Sequence, residues 1–310
     1  MAGISNGAFR ELCYENGASL VYSEMISDKA IFYQNKKTLA MLQSGEHHPV
    51  TLQLFGSDVD TMVYSARYMA DHSEVDIIDI NMGCPVNKVV KTGSGSALMK
   101  DEDRAVSIAK ALVEQVDKPI TVKMRLGYDF AHINCLSLGK KLQDVGVSAI
   151  ALHGRTRSQF YEGKADWSYI KQMKELLSIP LIGNGDICSV DDFVQKKAYS
   201  GADGMMIGRA VVGNPFLINE ISNYLSGKEN YSVSVSERFA ACLAHTDKLI
   251  SLKGEDRAIK EMRGLAPQYV YGLPHCSSVK NRLSKMDSLQ ECLDIFKEYE
   301  DFLSNIENDR

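Results

Sequence analysis

Residues 75–85 read Val-Asp-Ile-Ile-Asp-Ile-Asn-Met-Gly-Cys-Pro, and this stretch decides the fold. Its first six residues form a short, β-branched apolar run of the kind found in strands that are covered on both faces. A Gly-Cys-Pro turn follows, and Asn81 and Cys84 lie at that end of the strand. A buried strand that ends in a turn with reactive side chains is typical of parallel sheets, in which functional loops follow the carboxyl ends of the strands.

Similar apolar runs recur along the chain and are separated by amphipathic segments with helical periodicity. The predicted strands are 19–23, 50–54, 75–80, 120–124, 147–152, 179–182 and 204–207. The predicted helices are 6–16, 58–72, 101–116, 132–145, 167–178 and 190–199. Because strands and helices alternate every 20 to 35 residues or so, the pattern predicts βα units and a parallel sheet.

The leading fold is therefore a (β/α)8 TIM barrel, within the α/β class. A doubly wound open sheet is the alternative, but residues 93–98 and 183–188 both lack the last glycine of the dinucleotide-binding fingerprint. A barrel needs a strand before the helix at 6–16. We expect residues 1–3 to be the end of that first strand, which is then truncated and leaves an open seam in the barrel.

The strand patterns stop after residue 227, and helical patterns follow. Ser234 and Glu237 have capping-box spacing and predict a helix start. Residues 240–285 carry eight Lys or Arg against four Asp or Glu, a net charge of +4, whereas residues 286–310 have a net charge of −6. We expect a barrel domain over residues 1–227 and a helical domain over residues 228–310.

The composition is that of a globular protein, with 310 residues, 45% of them hydrophobic and 24% charged. The net charge of −5 argues against a protein that coats nucleic acid indiscriminately, but it allows a local basic surface. The seven cysteines include no C-x-x-C pair, so neither a disulfide framework nor a zinc site is indicated. No apolar run approaches the ~18 residues of a membrane helix. These observations predict a soluble cytoplasmic protein.

Cys84 is the first candidate for a catalytic residue, because it follows a buried strand at the edge where barrel active sites lie. An isolated cysteine is more often a buried turn residue. Here Lys88, Lys91 and the Gly-Ser-Gly-Ser run at 93–96 predict a mobile, polar and cationic loop, which suits contact with a polyanion better than storage of a structural thiol.

Two further strands end in residues that can do chemistry, Lys123 and His153. The sequence alone leaves open whether they face the pocket or the surrounding helices. Glycine turns at 183–187 and 207–210 follow the last two strands, where barrels bind phosphate through bare backbone N–H groups. Arg209 adds a guanidinium, so the paired turns predict a site for a phosphorylated cofactor.

An ordered set of motifs carries a resemblance over nearly the whole chain. It consists of Met1-Ala2-Gly3 with Phe9-Arg10, Gln53-Leu-Phe-Gly56, Asn81-Met-Gly-Cys84-Pro85, Gly95-Ser-Ala-Leu98, Lys123-Met-Arg125, His153-Gly-Arg155-Thr-Arg157, Asn184-Gly-Asp186-Ile187 and Gly208-Arg209. This set resembles the tRNA-dihydrouridine synthases, flavin enzymes with an FMN-binding barrel and a helical tRNA-binding domain. The Met-Gly-Cys-Pro form is most similar to the B-type bacterial branch.

The resemblance implies that the protein reduces uridines in tRNA to 5,6-dihydrouridine with NADPH as the reductant, and that Cys84 donates the proton to C5. The FMN contacts that it implies are Met1, Ala2, Gln53, Lys123, His153, Asn184, Gly185, Asp186, Gly208 and Arg209. The implied uridine and tRNA contacts are Asn81, Lys88, Lys91, Arg155, Gln159 and Tyr161. We expect a monomer whose partners are tRNA and NADPH, with no membrane association.

The chemistry of this reaction constrains the site. No side chain can supply the hydride that C6 of uracil needs, so a redox cofactor must. A cysteine that acts as an acid must stay a neutral thiol, near its ordinary pKa of about 8.5. The target uridine has to be flipped out of the folded tRNA. The alternatives are an FMN barrel oxidoreductase for a small pyrimidine-like substrate and a catalytically silent protein that binds flavin or RNA.

Overall fold

Seven parallel strands, joined by helices, form the first part of the molecule, seen here in a computed structural model that describes residues 1–42, 47–229 and 231–308. The strands are β1 (Val21–Ser27), β2 (Val50–Phe55), β3 (Ile77–Met82), β4 (Ile120–Arg125), β5 (Ala149–His153), β6 (Leu181–Asn184) and β7 (Gly204–Met206). Each strand pairs in parallel with the next strand along the chain. This sequential order confirms the TIM-barrel class, because a doubly wound sheet reverses its strand order near the middle.

The α-helices among the described residues are α1 (Gly7–Glu15), α2 (Asp28–Phe32), α3 (Lys36–Leu39), α4 (Val59–His72), α5 (Asn87–Val90), α6 (Glu102–Gln115), α7 (Cys135–Asp144), α8 (Ser168–Leu176), α9 (Val190–Ser200), α10 (Phe216–Leu225), α11 (Val235–Lys253), α12 (Glu255–Tyr269), α13 (Cys276–Leu283) and α14 (Leu289–Asn308). Short 3-10 helices span Ala40–Leu42, Gly95–Lys100 and Arg209–Val211. No helix in the described part of the chain is both long and apolar enough to cross a bilayer.

The chain divides into two units. One contains Met1–Ala2 and Leu20–Gly208, and the other contains Gly3–Ser19 and Arg209–Arg310. The sequence placed the domain boundary at residue 227, whereas the unit that holds the strands ends at Gly208. Met1 and Ala2 form no strand, and no pairing joins β7 to β1 within the described ranges. The sheet therefore has seven strands there, with β1 and β7 at its edges.

The two faces of the strands differ in polarity, because successive side chains point to opposite sides. On one face, Ile78, Ile80 and Met124 are completely buried. This is the face that packs on the helices, since a Cβ placed on Gly139 of α7 would lie 3.6 Å from the end of Met124. The intervening residues, such as Lys123, are on the inner face. The polar side chains of the strands are thus collected inside the barrel.

The second unit is a helical domain with its own apolar core. Phe239, Leu249, Met262 and Phe296 are buried in it, together with Leu12 of α1. The N-terminal helix therefore belongs to this unit, because its apolar side completes the helical core. The capping box predicted from the sequence is confirmed at the start of α11. The last two residues of the acidic stretch 286–310 lie outside the described residues.

Candidate active site

The strand registers bring polar residues of four strands, β3 to β6, to the inner face of the first unit. Across β3, β4 and β5, Asn81 pairs with Lys123, and Arg125 pairs with His153. His153 in turn pairs with Asn184 of β6. Paired residues of parallel strands share a face, so these side chains point into the barrel near the carboxyl ends of the strands. This answers the question that the sequence left open for Lys123 and His153.

Asp79 and Gln53 form the base of a hydrogen-bonded network. One oxygen of Asp79 accepts from Gln53 Nε2 at 2.7 Å, and the other accepts from Thr121 Oγ1 at 2.7 Å. Gln53 Oε1 accepts from Asn81 Nδ2 at 2.7 Å. Burial raises the pKa of Asp79 to about 6, although these hydrogen bonds and the charge of Lys123 oppose the rise. Asp79 was not predicted as a site residue, because it lies within the apolar run 75–80, two residues before Asn81.

Cys84 is held directly above this network. Asn81 Oδ1 accepts from the backbone N–H groups of Gly83 at 3.1 Å and Cys84 at 2.9 Å. Burial raises the pKa of the Cys84 thiol above its ordinary value, while the charges of Arg125 and Lys123 act in the opposite direction. The thiol is therefore protonated at neutral pH. This direction agrees with what a proton donor requires.

The glycine-serine run after Cys84 packs against it, which differs from the mobile polar loop that the sequence predicted. Ser94 and Ser96 are buried, and Ser96 Oγ donates to the carbonyl oxygen of Cys84 at 2.8 Å. Gly95 has a φ of 62°, and a Cβ there would lie 3.0 Å from the same carbonyl. Lys88 and Lys91, by contrast, are exposed on and just after α5. Of the predicted exposed loop, the two lysines lie at the surface, whereas the serines are buried.

Lys123 is a partly exposed ammonium group inside the barrel. It donates to Asn184 Oδ1 at 3.3 Å, and Asn184 Nδ2 donates to the carbonyl of Met206 at 2.7 Å. Burial and the charge of Arg125 lower the pKa of Lys123 to about 8, against the opposing effect of Asp79 and Cys84. A lysine with so few partners and a lowered pKa is placed to meet an acceptor or an anion inside the barrel.

Arg125 links the Cys84 turn to the loop after β5. Its Nε donates to the carbonyl of Gly83 at 2.9 Å, and its Nη1 donates to the carbonyls of Thr156 at 2.7 Å and Phe160 at 2.9 Å. The guanidinium also lies 5.7 Å from the ring centre of Tyr161. Arg125 was not predicted as a site residue and stood only in the Lys123-Met-Arg125 motif. Its spacing of two residues from Lys123 is the signal that places it on the same inner face.

Arg155 holds the same loop from the other side. It is 2% exposed, and it donates to both carboxylate oxygens of Asp186, at 2.8 and 2.7 Å. It also donates to the carbonyls of Glu162 at 3.1 Å and Gly163 at 2.6 Å. The resemblance implied that Arg155 contacts uridine and that Asp186 contacts FMN. In the structure the two residues bind each other bidentately and tie β6 to the loop that carries Gln159.

The other expected contacts lie at the edge of this arrangement. Tyr161 is 51% exposed, and its ring centre lies 6.5 Å from that of His153. Gln159 is engaged locally, since its Oε1 accepts from the Thr156 N–H at 2.9 Å. Gly185 has a φ of 133°, and a Cβ there would lie 3.2 Å from His153, so this glycine lets the turn close against the imidazole.

Gly208 is the end of the first unit and is open on its Cα side. A Cβ there would meet only Met1 Sδ, at 3.9 Å, and Met1 and Ala2 are exposed. Arg209 is also exposed and begins the second unit with a turn of 3-10 helix. Within the described residues, no group of three or more His, Cys, Asp or Glu side chains could hold a metal ion.

Comparisons with known proteins agree on one family. The family model described as dihydrouridine synthase (Dus) matches residues 1–307. A probable tRNA-dihydrouridine synthase of Rickettsia conorii is 37% identical over 290 residues, which are 93% of this chain and 87% of the relative. The tRNA-dihydrouridine synthase B of Xanthomonas campestris is 36% identical over 305 residues, 98% of this chain and 92% of the relative.

Among solved structures, the 6-hydroxypseudooxynicotine amine oxidase of Pseudomonas geniculata matches with a TM-score of 0.54 and 14% identity, over 79% of this chain and 47% of that one. At that identity the likeness concerns the fold alone. The family model and the curated relatives, which span almost the whole chain, go further: this chain belongs to the dihydrouridine synthase family.

Proposed function

We propose that this protein reduces uridine in tRNA to 5,6-dihydrouridine. The observation that carries the proposal is the position of the Cys84 thiol, which lies two residues after the end of β3 and close enough to the inner-face cations Lys123 and Arg125 for their charges to act on it. The relatives named as tRNA-dihydrouridine synthases support the reaction and the substrate. In this reaction a proton is added to C5 of uracil and a hydride to C6.

Cys84 is the proposed proton donor to C5. Burial keeps the proton on sulfur before the reaction, because it raises the pKa of the thiol. Once the proton leaves, the sulfur carries a negative charge, and the charges of Lys123 and Arg125 stabilise it. The Asn81 side chain holds the backbone N–H of Cys84, so the thiol can approach C5 of the uracil in one orientation.

The inner face fits FMN as the cofactor. Lys123 donates a single hydrogen bond within the described residues, at 3.3 Å, so the ammonium has donors left for an acceptor atom in the barrel. When bound, FMN would supply the hydride that no side chain can provide, with NADPH as the reductant that renews it. Lys123 places a positive charge where negative charge develops. The residues proposed to hold the cofactor are Met1, Ala2, Gln53, Lys123, His153, Asn184 and Gly208.

The loop at 156–163 is the proposed wall of the uridine pocket. Tyr161 is half exposed beside His153 and offers a ring for stacking on a flipped base. Arg155 serves this pocket by holding the loop rather than by touching the base, because its guanidinium is bound to Asp186 and to two loop carbonyls. Lys88 and Lys91 are proposed contacts to tRNA phosphates.

The helical unit is the proposed tRNA-binding domain. Its residues 240–285 carry a net charge of +4 in a protein whose total is −5. Phosphate contacts from such a surface supply sequence-independent affinity, and they offset the cost of flipping out the target base. This domain also distinguishes the proposal from a barrel oxidoreductase for small molecules, which would need no basic helical unit.

The test uses full-length protein and tRNA that lacks dihydrouridine. Cys84→Ala is expected to keep its flavin and its oxidation of NADPH but to lose dihydrouridine formation by at least about 100-fold, as for the loss of a general acid. Cys188→Ala is the matched control, because Cys188 is exposed in the same unit and should leave the rate unchanged. Product is measured by mass spectrometry of the tRNA nucleosides. Normal turnover by Cys84→Ala would refute the assignment, and equal reduction of free uridine would favour the small-molecule alternative.

A further inference from the structure

Asp79 is a fully buried carboxylate that the proposed reaction does not use. It lies on the inner face of β3, with hydrogen bonds to Gln53 of β2 and Thr121 of β4. Burying a carboxylate costs free energy unless its hydrogen bonds compensate. The question is therefore what this group does for the rest of the site.

The hydrogen-bond directions answer it. A carboxylate offers only acceptors, so Gln53 has to turn its NH2 group towards Asp79, which leaves Gln53 Oε1 facing Asn81. Asn81 then donates to that oxygen, and its own Oδ1 faces the N–H groups of Gly83 and Cys84. Turning either amide by 180° would set donor against donor or acceptor against acceptor.

The groups at the two ends of this chain of hydrogen bonds require the same orientation of the two amides. Asp79 supplies acceptors at one end, and the two backbone N–H groups supply donors at the other. The second hydrogen of the Asn81 amide faces Met25 Sδ, 3.2 Å from the nitrogen. Each amide therefore has one orientation in which all its contacts are satisfied, and that orientation holds the backbone of the residue that carries the thiol.

We propose that Asp79 is a positioning residue for Cys84, and that it acts through the side chains of Gln53 and Asn81. The functional meaning of this inference rests on the proposed role of Cys84 as the acid. Asp79 itself does not contact the thiol. It sets the orientation of Gln53, Gln53 sets that of Asn81, and Asn81 holds the Cys84 turn closed over the inner face.

The test measures how fast iodoacetamide alkylates each cysteine of the full-length protein, with the sites resolved by peptide mass spectrometry. Asp79→Ala should increase the rate at Cys84 about fivefold, the effect of losing the support of roughly one hydrogen bond. Cys135 is an internal control, because it is fully buried in the same unit and its backbone N–H donates to the carbonyl of Leu126, which is not part of this network. Its rate should change less than about twofold, within the spread of independent sites.

Thr121→Val is the matched control variant. It removes a hydrogen bond from Asp79 but leaves in place the contact between Asp79 and Gln53 and the contact between Gln53 and Asn81. We expect the alkylation rate of Cys84 in Thr121→Val to stay within about twofold of the wild-type rate. An increase equal to that in Asp79→Ala would show that general support of the carboxylate matters, not orientation of the amides, and would overturn the proposal.

Gln53→Leu removes the link between Asp79 and Asn81, and it replaces Asp79→Ala as the test variant if that protein does not fold. It should raise the rate at Cys84 as Asp79→Ala does, and adding Asp79→Ala to it should give no further increase. Unchanged alkylation of Cys84 in both single variants, additive effects in the double variant, or an equal rise at Cys135 would each overturn the inference.

Alkylation reports the position of the thiol and not its reaction with tRNA, so this test succeeds or fails separately from the proposed function. Dihydrouridine formation by the same variants gives the functional reading. If the proposed function holds, Asp79→Ala should lower kcat and leave the KM for tRNA unchanged, since Asp79 lies at the base of the site and supports the acid. If wild-type protein forms no dihydrouridine, the proposed function fails, while the alkylation rates still decide the role of Asp79.

Discussion

Replacing Lys123 with methionine should make the first unit more stable at neutral pH. Burial and the nearby Arg125 lower the pKa of Lys123 from 10.5 to about 8. A group with a lower pKa in the folded state than in the unfolded state destabilises the folded state while it is protonated. Lys123→Met removes that cost and keeps a long, unbranched side chain in the same space.

The size of the effect follows from the shift. One pKa unit is about 1.4 kcal/mol, so the difference between 10.5 and about 8 sets a ceiling of about 3 kcal/mol on the gain. Lys123 is partly exposed, and the variant also loses the hydrogen bond to Asn184. Solvent screening and that loss reduce the expected gain to about 1–2 kcal/mol.

The stability gained in Lys123→Met should depend on pH. Below pH 8 Lys123 is protonated in both states, so its full cost is present there. Between pH 8 and 10.5 the folded protein has lost the proton and the unfolded chain still binds it, so the cost declines as pH rises. Above 10.5 neither state is charged and the cost is gone. The advantage of Lys123→Met should therefore be largest at pH 7 and small at pH 10.

The assay uses the single tryptophan of the protein. Trp167 is buried in the first unit, and its indole N–H donates to the carbonyl of Gly185 at 3.1 Å, so its fluorescence reports the unfolding of that unit. Urea unfolding is followed at pH 7, 8.5 and 10 after removal of any bound cofactor, which would add its own stabilisation.

Lys140→Met is the matched control for this experiment. Lys140 is exposed on α7 and forms an ion pair with Asp144 one helical turn away, so its replacement should change the free energy of unfolding by less than about 0.5 kcal/mol. A loss of stability in Lys123→Met at pH 7, or a gain that is as large at pH 10 as at pH 7, would refute the reasoning.

Two further substitutions test the loops around Cys84. Gly95→Ala should lower dihydrouridine formation at least about tenfold, because its Cβ would lie only 3.0 Å from the Cys84 carbonyl oxygen. Gly227→Ala is the control: Gly227 has a similar φ of 67° and no described atom within 4 Å of the new Cβ, so this variant should have only the backbone strain of about 1 kcal/mol. Equal activities of the two variants would contradict this prediction. Arg155→Lys should raise the KM for tRNA and expose the loop to limited proteolysis, since lysine cannot bind Asp186 bidentately. A cleavage pattern and KM like those of wild type would argue against this role of Arg155.

The strands could be predicted from the sequence because each one is an apolar run with its own turn. The first residues of β2, β4 and β7 were also predicted correctly, but those of the other four strands were not. β1, β3, β5 and β6 begin two residues after the starts predicted at 19, 75, 147 and 179, namely at Val21, Ile77, Ala149 and Leu181. Val75 and Val147 are buried all the same. They lie in the segments just before the strands, and hydrophobicity alone does not distinguish a buried loop residue from a residue of a hydrogen-bonded strand.

The meeting of Gln53, Asn81, Lys123 and His153 could also be expected, because residues at the carboxyl ends of parallel strands converge on one edge. What each side chain binds could not be read in this way. Arg155 looked like a pocket residue, and its partners turned out to be Asp186 and two carbonyls that only the folded loop brings near. Hydrogen-bond partners far apart in sequence depend on loop conformation, which has no periodic signal.

The shifted pKa values of Asp79, Cys84 and Lys123 have a common cause, which is burial inside the barrel. Burial raises the pKa of Asp79 to about 6 and lowers that of Lys123 to about 8, so the charged form of each group is less stable in the barrel than in water. The same enclosure keeps the proton on Cys84, and the charges of Arg125 and Lys123 act on the thiol from inside the barrel, where burial weakens their screening by water. A barrel without Lys123 would thus be more stable but would stabilise the anion of the thiol less well. The cost in folding stability and the capacity to donate a proton arise from one cause, the burial of polar groups on β3, on β4 and in the turn after β3.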